Sequence, residues 1–331
     1  MQLYRVRLSL SVFFLVVSAG LWSTQHLTAQ RLDGALLNNL EYREIGPTRQ
    51  SGRFVDIAVP NQRPYTFYIA TASGGLWKTE NNGITFDVLF TDQDVFSIGA
   101  ITVAPSDPDI LYLGSGEANN SRSSYWGDGV YKSTNAGESW IHLGLPESHH
   151  IGRIVVHPSN PDIVYVAALG YLHSENEERG LYKTTDGGDS WIRVLGPEVE
   201  GRRIGVVDVV MDPSDTQTLY AATYDKVRLP FTFDLGGPGS RLYKSTNGGD
   251  SWIQLGAGLP EGMLGRIGVD VYERDPSIIY VTIENANKND MSEEERRQEL
   301  LDHESSRGMI GGEVYRSDDA GITWEKVSPD G

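Results

Sequence analysis

The chain has 331 residues, 28 Lys and Arg against 45 Asp and Glu for a net charge of −17, and no cysteine. That balance excludes a nucleic-acid footprint or an anionic-membrane dock, and the missing thiols exclude disulfides, thiolate zinc sites, cysteine nucleophiles and iron–sulfur clusters. An apolar fraction of 39% allows a sizeable core, while 37 Gly and 16 Tyr suit many short strands joined by tight turns.

In chain order the first predicted element is a leader over residues 1–29. Arg5 and Arg7 precede an apolar run from Leu8 to Val17, the pattern of a secretory signal. Cleavage after Ala29 leaves Gln30 first, although Leu27 is large for the third position before the cut. The mature protein is therefore expected to be secreted, periplasmic or at the cell surface, with no transmembrane span after cleavage. Residues 30–48 form an N-terminal segment, and “NLEYREIGP” (39–47) within it has the form of an outermost strand, as in “SWIHLGLP” (139–146).

Residues 49–331 repeat one unit five times. The repeated phrase is “GLWKTENNGITF” (75–86), “GVYKSTNAGESW” (129–140), “GLYKTTDGGDSW” (180–191), “RLYKSTNGGDSW” (241–252) and “EVYRSDDAGITW” (313–324). A second phrase precedes each copy, as in “ITVAPSDPDILYLGSG” (101–116) and “IVVHPSNPDIVYVAAL” (154–169). Each unit reads as strand, Pro/Asp turn, strand, loop, strand, Gly turn, strand. The runs “ILYLG”, “IVYVA” and “IIYVT” are apolar on both parities, so both of their faces should be buried. All-β units of four antiparallel strands, covered on both faces by their neighbours, predict a β-propeller.

The phrase is built like a structural turn. Asn81, Asn135, Asp186, Asn247 and Asp319 can accept hydrogen bonds from backbone N–H groups two residues on. The recurring Gly83, Gly137, Gly188, Gly249 and Gly321 mark a position that needs positive φ. The closing Phe86, Trp140, Trp191, Trp252 and Trp324 then bury their area between sheets. The fifth unit already has an outer strand, “TWEKVSP” (323–329), so the early strand at 39–47 has no blade to complete. A ring of seven or more blades is expected; a closed five-bladed ring is the alternative.

In a propeller the loops joining strands two and three share one face with the blade-to-blade connectors, and ligand candidates are sought there. Unit two offers Glu117, Trp126 and Asp128 as a carbohydrate or peptide subsite with Trp126 as stacking platform; the bland alternative is a “GDG” turn with Trp126 packed beneath the loop. Arg53, Arg153 and Arg266 each follow a glycine at the start of an innermost strand. They either ring the channel mouth and bind carboxylates or peptide backbone, or pair with nearby Asp56, Asp208 and Asp270. His173 belongs to a histidine group with His149, His150 and His157, whose spacing fits no zinc site; no metal or cofactor is expected. The unit-five insert holds a helix over about 290–305, with Ser292 and Glu295 as a capping box, read as solvated decoration on Leu300 and Leu301 or as a lid.

The signature S/T-x-D/N-x-G-x-S/T-W at 79–86, 133–140, 184–191, 245–252 and 317–324 resembles the Asp-box, or BNR, repeat. The chain resembles the N-terminal propeller of large secreted bacterial proteins labelled sortilin-like or “BNR-repeat glycosyl hydrolase”; “YREIGPTRQSGR” and “HHIGRIVVHPSNPDIVYVAALG” carry the match. The resemblance implies that the Asp-box is a fold element away from the ligand face. It also implies two enzyme classes to test. Sialidases carry an “RIP” motif, which is absent here. Two-propeller xyloglucanases place a catalytic Asp in a phrase like “ARTDIGGAYRW”, and the matching “IATASGGLWKT” (69–79) has Ala72 at that position. An alanine cannot serve as general acid or base. The expected function is a secreted, non-catalytic propeller that binds a peptide, protein or glycan at the channel face, with no catalytic residue assigned; the alternative is a glycoside hydrolase completed by sequence outside this chain.

Overall fold

A computed structural model describes residues 52–329 apart from 122, 230–232, 235 and 289–308. The leader, the N-terminal segment with its outer strand, and the helical insert lie outside the described residues. Five four-stranded antiparallel sheets follow one another. The first comprises β1 (Phe54–Ala58), β2 (Phe67–Thr71), β3 (Leu76–Thr79) and β4 (Asp87–Leu89), and the second β5 (Ile98–Val103), β6 (Leu111–Ser115), β7 (Val130–Ser133) and β8 (Ile141–His142). The third comprises β9 (Ile151–Val156), β10 (Val164–Ala168), β11 (Gly180–Thr184) and β12 (Ile192–Leu195). A ribbon of β13 (Glu198–Val199) and β14 (Arg202–Arg203) leads into the fourth sheet, β15 (Gly205–Met211), β16 (Leu219–Tyr224), β19 (Leu242–Ser245) and β20 (Ile253–Leu255). A second ribbon, β17 (Val227–Arg228) with β18 (Phe233–Asp234), lies in its loop. The fifth sheet is β21 (Leu264–Val271), β22 (Ile279–Lys288), β23 (Met309–Ser317) and β24 (Glu325–Lys326). The innermost strands pack in succession, β1 on β5, β5 on β9, β9 on β15 and β15 on β21. These are propeller blades, as the repeat predicts.

Four apolar cores fill the four spaces between consecutive blades. Each joins a second-strand tyrosine of one blade to the Asp-box tryptophan of the next: Tyr68 with Trp140, Tyr112 with Trp191, Tyr165 with Trp252, and Tyr220 with Trp324. The cores are thus interblade cores, the reason a single blade could not stand alone. β6 and β10 are buried along their whole length, as expected of sheets covered on both faces. β22 departs from the expectation. Its burial alternates, with Tyr280 and Thr282 exposed, because no described strand packs on that side of blade five.

The Asp-box turn is held differently in detail from the sequence reading. The first Ser or Thr of the box is the hub: in the fourth box the Ser245 hydroxyl accepts from Asn247 N–H at 3.3 Å and Gly249 N–H at 2.9 Å. Asn247 Oδ1 accepts from the N–H four residues on, that of Ser251, at 2.9 Å. The hydroxyl thus takes the N–H groups two and four residues on, and the amide takes one four residues on rather than two. Gly249 has φ +89°, and its box-mates Gly83, Gly137, Gly188 and Gly321 are likewise positive, as predicted. The residue before each glycine donates its N–H to the Pro/Asp turn of the same blade, for example Ala136 to Asp109 O and Gly248 to Gln217 O. Both turn sets therefore share one end of the blade, which leaves the other end for the loops that differ.

Candidate functional site

The loop after β6 folds inward and ties the blades together at that other end. Glu117 is buried, and its carboxylate receives a fork from Arg53 (Nε 3.0 Å, Nη2 2.6 Å to Oε1 and 2.5 Å to Oε2), Asn119 Nδ2 at 2.9 Å and the Ser124 hydroxyl at 3.1 Å. Burial of a carboxylate is offset by such charge-assisted bonds. The Glu117 carbonyl accepts from His150 Nδ1 at 2.7 Å, and Asn119 Oδ1 accepts from Arg266 Nη1 at 2.9 Å. Ala118 packs in the core shared by blades four and five. Three residues thus touch four other blades. A Cβ on Gly116 would run into the carbonyl of His149, and its φ of +83° is one that L side chains rarely adopt, so glycine is required where this loop turns in.

An aromatic group lies beside this knot. Trp126 is 65% exposed. It stacks on His149 with centroids 6.4 Å apart and planes at 22°, and His149 rests on Tyr171 at 4.1 Å. Phe96 and Tyr125, both exposed, pair at 5.1 Å. Phe96 and His149 come from blade connectors, whereas Tyr125, Trp126 and Tyr171 come from strand-two-to-three loops. Gly127 N–H donates to His149 O at 2.8 Å and fixes one loop type on the other. Burial pushes the His149 imidazole below its usual value, partly opposed by Glu147 and Asp128, so the ring in the stack is neutral at pH 7. Trp126 stacks on His149 and is otherwise largely exposed, so it is not packed beneath its loop.

The charged residues of the inner strands are mostly paired. Arg153 Nε meets Asp208 Oδ1 at 2.9 Å. Asp208 also accepts from Val209 N–H at 3.0 Å and from Val269 N–H of the next blade at 3.1 Å. Asp56 bridges in the same way, from Ile57 N–H at 2.9 Å and Ile101 N–H at 3.0 Å, and burial raises its carboxyl above the ordinary range. Arg53 pairs with Glu117 rather than Asp56, and Arg266 with Asn119 rather than Asp270, because the Gly116–Asn120 loop reaches both. Asp128 is a strut: its carboxylate takes the Tyr131 hydroxyl at 2.8 and 2.9 Å. His173 is exposed on the blade-three loop, two residues after Tyr171. Ala72 is fully buried, its N–H on Arg53 O at 2.9 Å, so the position matching the xyloglucanase acid holds a packed methyl group.

The structure therefore keeps Trp126 as an open surface residue, turns Glu117, Asp128 and Arg153 into internal bonds, and adds Phe96, Tyr125, His149 and Tyr171. The signal for the added four is their position, since each sits in a connector or variable loop at the same blade end. Among the described residues no helix is long and apolar enough to cross a membrane, and no cluster of three or more His, Asp or Glu is placed to hold a metal ion.

Comparison with known proteins places this geometry. The Sortilin-Vps10 family model, described as “Sortilin, neurotensin receptor 3”, matches residues 128–307, more than half of the chain. Among curated relatives, a xyloglucanase of a Paenibacillus species is 26% identical over 66% of this chain and 22% of its own length, and a Hypocrea jecorina xyloglucanase is 25% identical over 79% and 30%. The chain thus spans about a quarter of the length of the curated relatives it matches. An ancestral GH74 enzyme (TM-score 0.60, 20% identity, 83% of this chain and 31% of that one) and the GH74 enzyme of Niastella koreensis (0.58, 20%, 82% and 38%) share the fold.

Proposed function

The chain belongs to the Sortilin-Vps10 family, and from that premise we propose that it is an exported Asp-box propeller that binds a β-linked glucan chain on the loop face of blades two and three. The observation that carries the reading is Trp126, exposed and stacked on His149, which in turn rests on Tyr171. Pyranose rings stack their C–H faces on such platforms, and a backed indole is already ordered, so little entropy is lost on binding. The glucan class follows from relatives named as xyloglucanases. Binding without cleavage is supported by Ala72 and by Glu117, whose carboxylate is buried under Arg53.

Hydrolysis of xyloglucan is the second reading, favoured by those same relatives; the catalytic pair would then lie outside the described residues. Calorimetry with xyloglucan and cello-oligosaccharides, alongside a reducing-end assay, separates the two. Binding that Trp126→Ala weakens at least about tenfold, with no release of reducing ends, is expected. Unchanged affinity in that variant rejects the platform, and release of reducing ends moves the chain to the second reading.

A further inference from the structure

The connector between blades two and three presents the His149 ring from a strained backbone. His149 has φ 49° and ψ −39°, and His150 N–H meets Ser148 O at 2.5 Å across it. This is a three-residue turn of the rare, positive-φ hand. A non-glycine residue persists there only where its surroundings over-determine it.

The surroundings grip the turn from both sides. After it, the His149 carbonyl accepts from Gly127 N–H at 2.8 Å. Before it, Glu147 N–H donates to Glu178 Oε2 at 2.7 Å, and Glu147 O accepts from Asn176 Nδ2 at 2.7 Å. Glu178 and Asn176 belong to the loop between β10 and β11, which also supplies Tyr171. Asn176 spends its other atom on that tyrosine: Oδ1 accepts from Tyr171 N–H at 2.9 Å and from Arg179 Nε at 3.3 Å. The orientation of the carboxamide follows, because the reverse one would set its NH2 against two donors. A Cβ on Gly170 would stand 2.3 Å from Asn176 Oδ1, so glycine there lets the carboxamide fold back.

One side chain therefore bridges residue 147, two before His149, to residue 171, whose ring centroid lies 4.1 Å from that of His149. The Tyr171 carbonyl is held as well, by Arg179 Nη2 at 3.0 Å and Lys226 Nζ at 3.3 Å, both from buried side chains. With both of its peptide groups bonded, Tyr171 is a fixed support.

We propose that Asn176 is the positioning residue of the aromatic platform: by tying the blade-three loop to the connector ahead of His149, it fixes the imidazole against Tyr171 and Trp126, so that a ligand meets a preformed stack. It acts through the backbone of Glu147 and Tyr171. The class of ligand rests on the glucan reading above; the positioning does not.

The test uses the full chain with isotope-labelled histidine, the His149 signals being assigned by His149→Gln. An imidazole this close to a tyrosine feels its ring current, and Tyr171→Leu gives the shift without it. Asn176→Asp keeps an acceptor for Tyr171 N–H and Arg179 Nε but sets a carboxylate oxygen against Glu147 O. Its His149 signals should move at least halfway to those of Tyr171→Leu, with those of His142 and His157 in place. Xyloglucan affinity by calorimetry should fall about fivefold, the scale of one lost hydrogen bond, and the same substitution should cause no further loss in a Trp126→Ala chain. In the wild type, where no variant need fold, the Asn176 side-chain amide should exchange its protons more slowly than that of the exposed Asn82. His149 signals that stay in place in Asn176→Asp, an Asn176 amide that exchanges as fast as that of Asn82, or an affinity loss that persists undiminished without Trp126 each overturns the proposal. Xyloglucan that does not bind the wild type, with the His149 signals displaced as stated, rejects the glucan reading and supports the positioning role.

Discussion

Acid should loosen the knot under the aromatic stack through one residue, His150. The ring is 1% exposed, and its Nδ1–H donates to the Glu117 carbonyl at 2.7 Å, which leaves Nε2 unprotonated. Its pKa is pushed down to about 3, first by burial and then by the Lys226 charge; the Glu117 carbonyl works the other way, and the neighbouring His149 and His173 add smaller repulsion when charged. An unfolded chain binds this proton near pH 6.5, whereas the folded chain holds it off until about pH 3. The stabilisation is therefore complete above 6.5 and is lost as pH falls between those values. By linkage the loss is about 2 kcal/mol at pH 5 and about 3 kcal/mol at pH 4. His150→Asn keeps a donor in the place of Nδ1 and removes the titration. Urea unfolding of both proteins at pH 7 and pH 5, at equal ionic strength, should show the wild type losing about 2 kcal/mol more than the variant. Equal losses would refute the assignment of this acid sensitivity to His150.

Two other expectations concern the bonds between blades. Tyr165→Phe deletes a buried hydroxyl that donates to Gly248 O at 2.8 Å, and should cost about 1 kcal/mol in chemical denaturation, since Lys183 still satisfies that carbonyl at 2.7 Å. A cost near zero would remove the hydroxyl from the account of blade cohesion. Arg53→Ala leaves the buried Glu117 carboxylate with only Asn119 and Ser124, and should destabilise by about 1–3 kcal/mol at pH 7 in chemical denaturation. A variant as stable as wild type would show that the ion pair contributes nothing.

Much of the architecture was legible along the chain because each blade repeats the same local solution. Five Asp-boxes, their positive-φ glycines and the paired apolar runs are consequences of short-range sterics and hydrogen bonding, and these depend on neighbours a few residues away. The Asn and Asp of the box were found, but the partner assignments were not, since a serine hydroxyl and an amide can divide the same donors in two ways. The absence of an acid at Ala72 was also plain from the sequence. The wiring of the loop face was not. Arg53 and Glu117 are 64 residues apart, and Arg266 and Asn119 are 147 apart, so only the return of each chain segment to the axis decides who pairs with whom. The same closure assembles Phe96, Tyr125, Trp126, His149 and Tyr171 from two connectors and two loops, none carrying a motif. The bare side of β22 is a tertiary fact of the same kind. Its opening run IYVTI resembles the VYVAA of β10, yet its faces alternate between buried and exposed while β10 is buried throughout, so coverage depends on what packs against a strand as well as on its own letters.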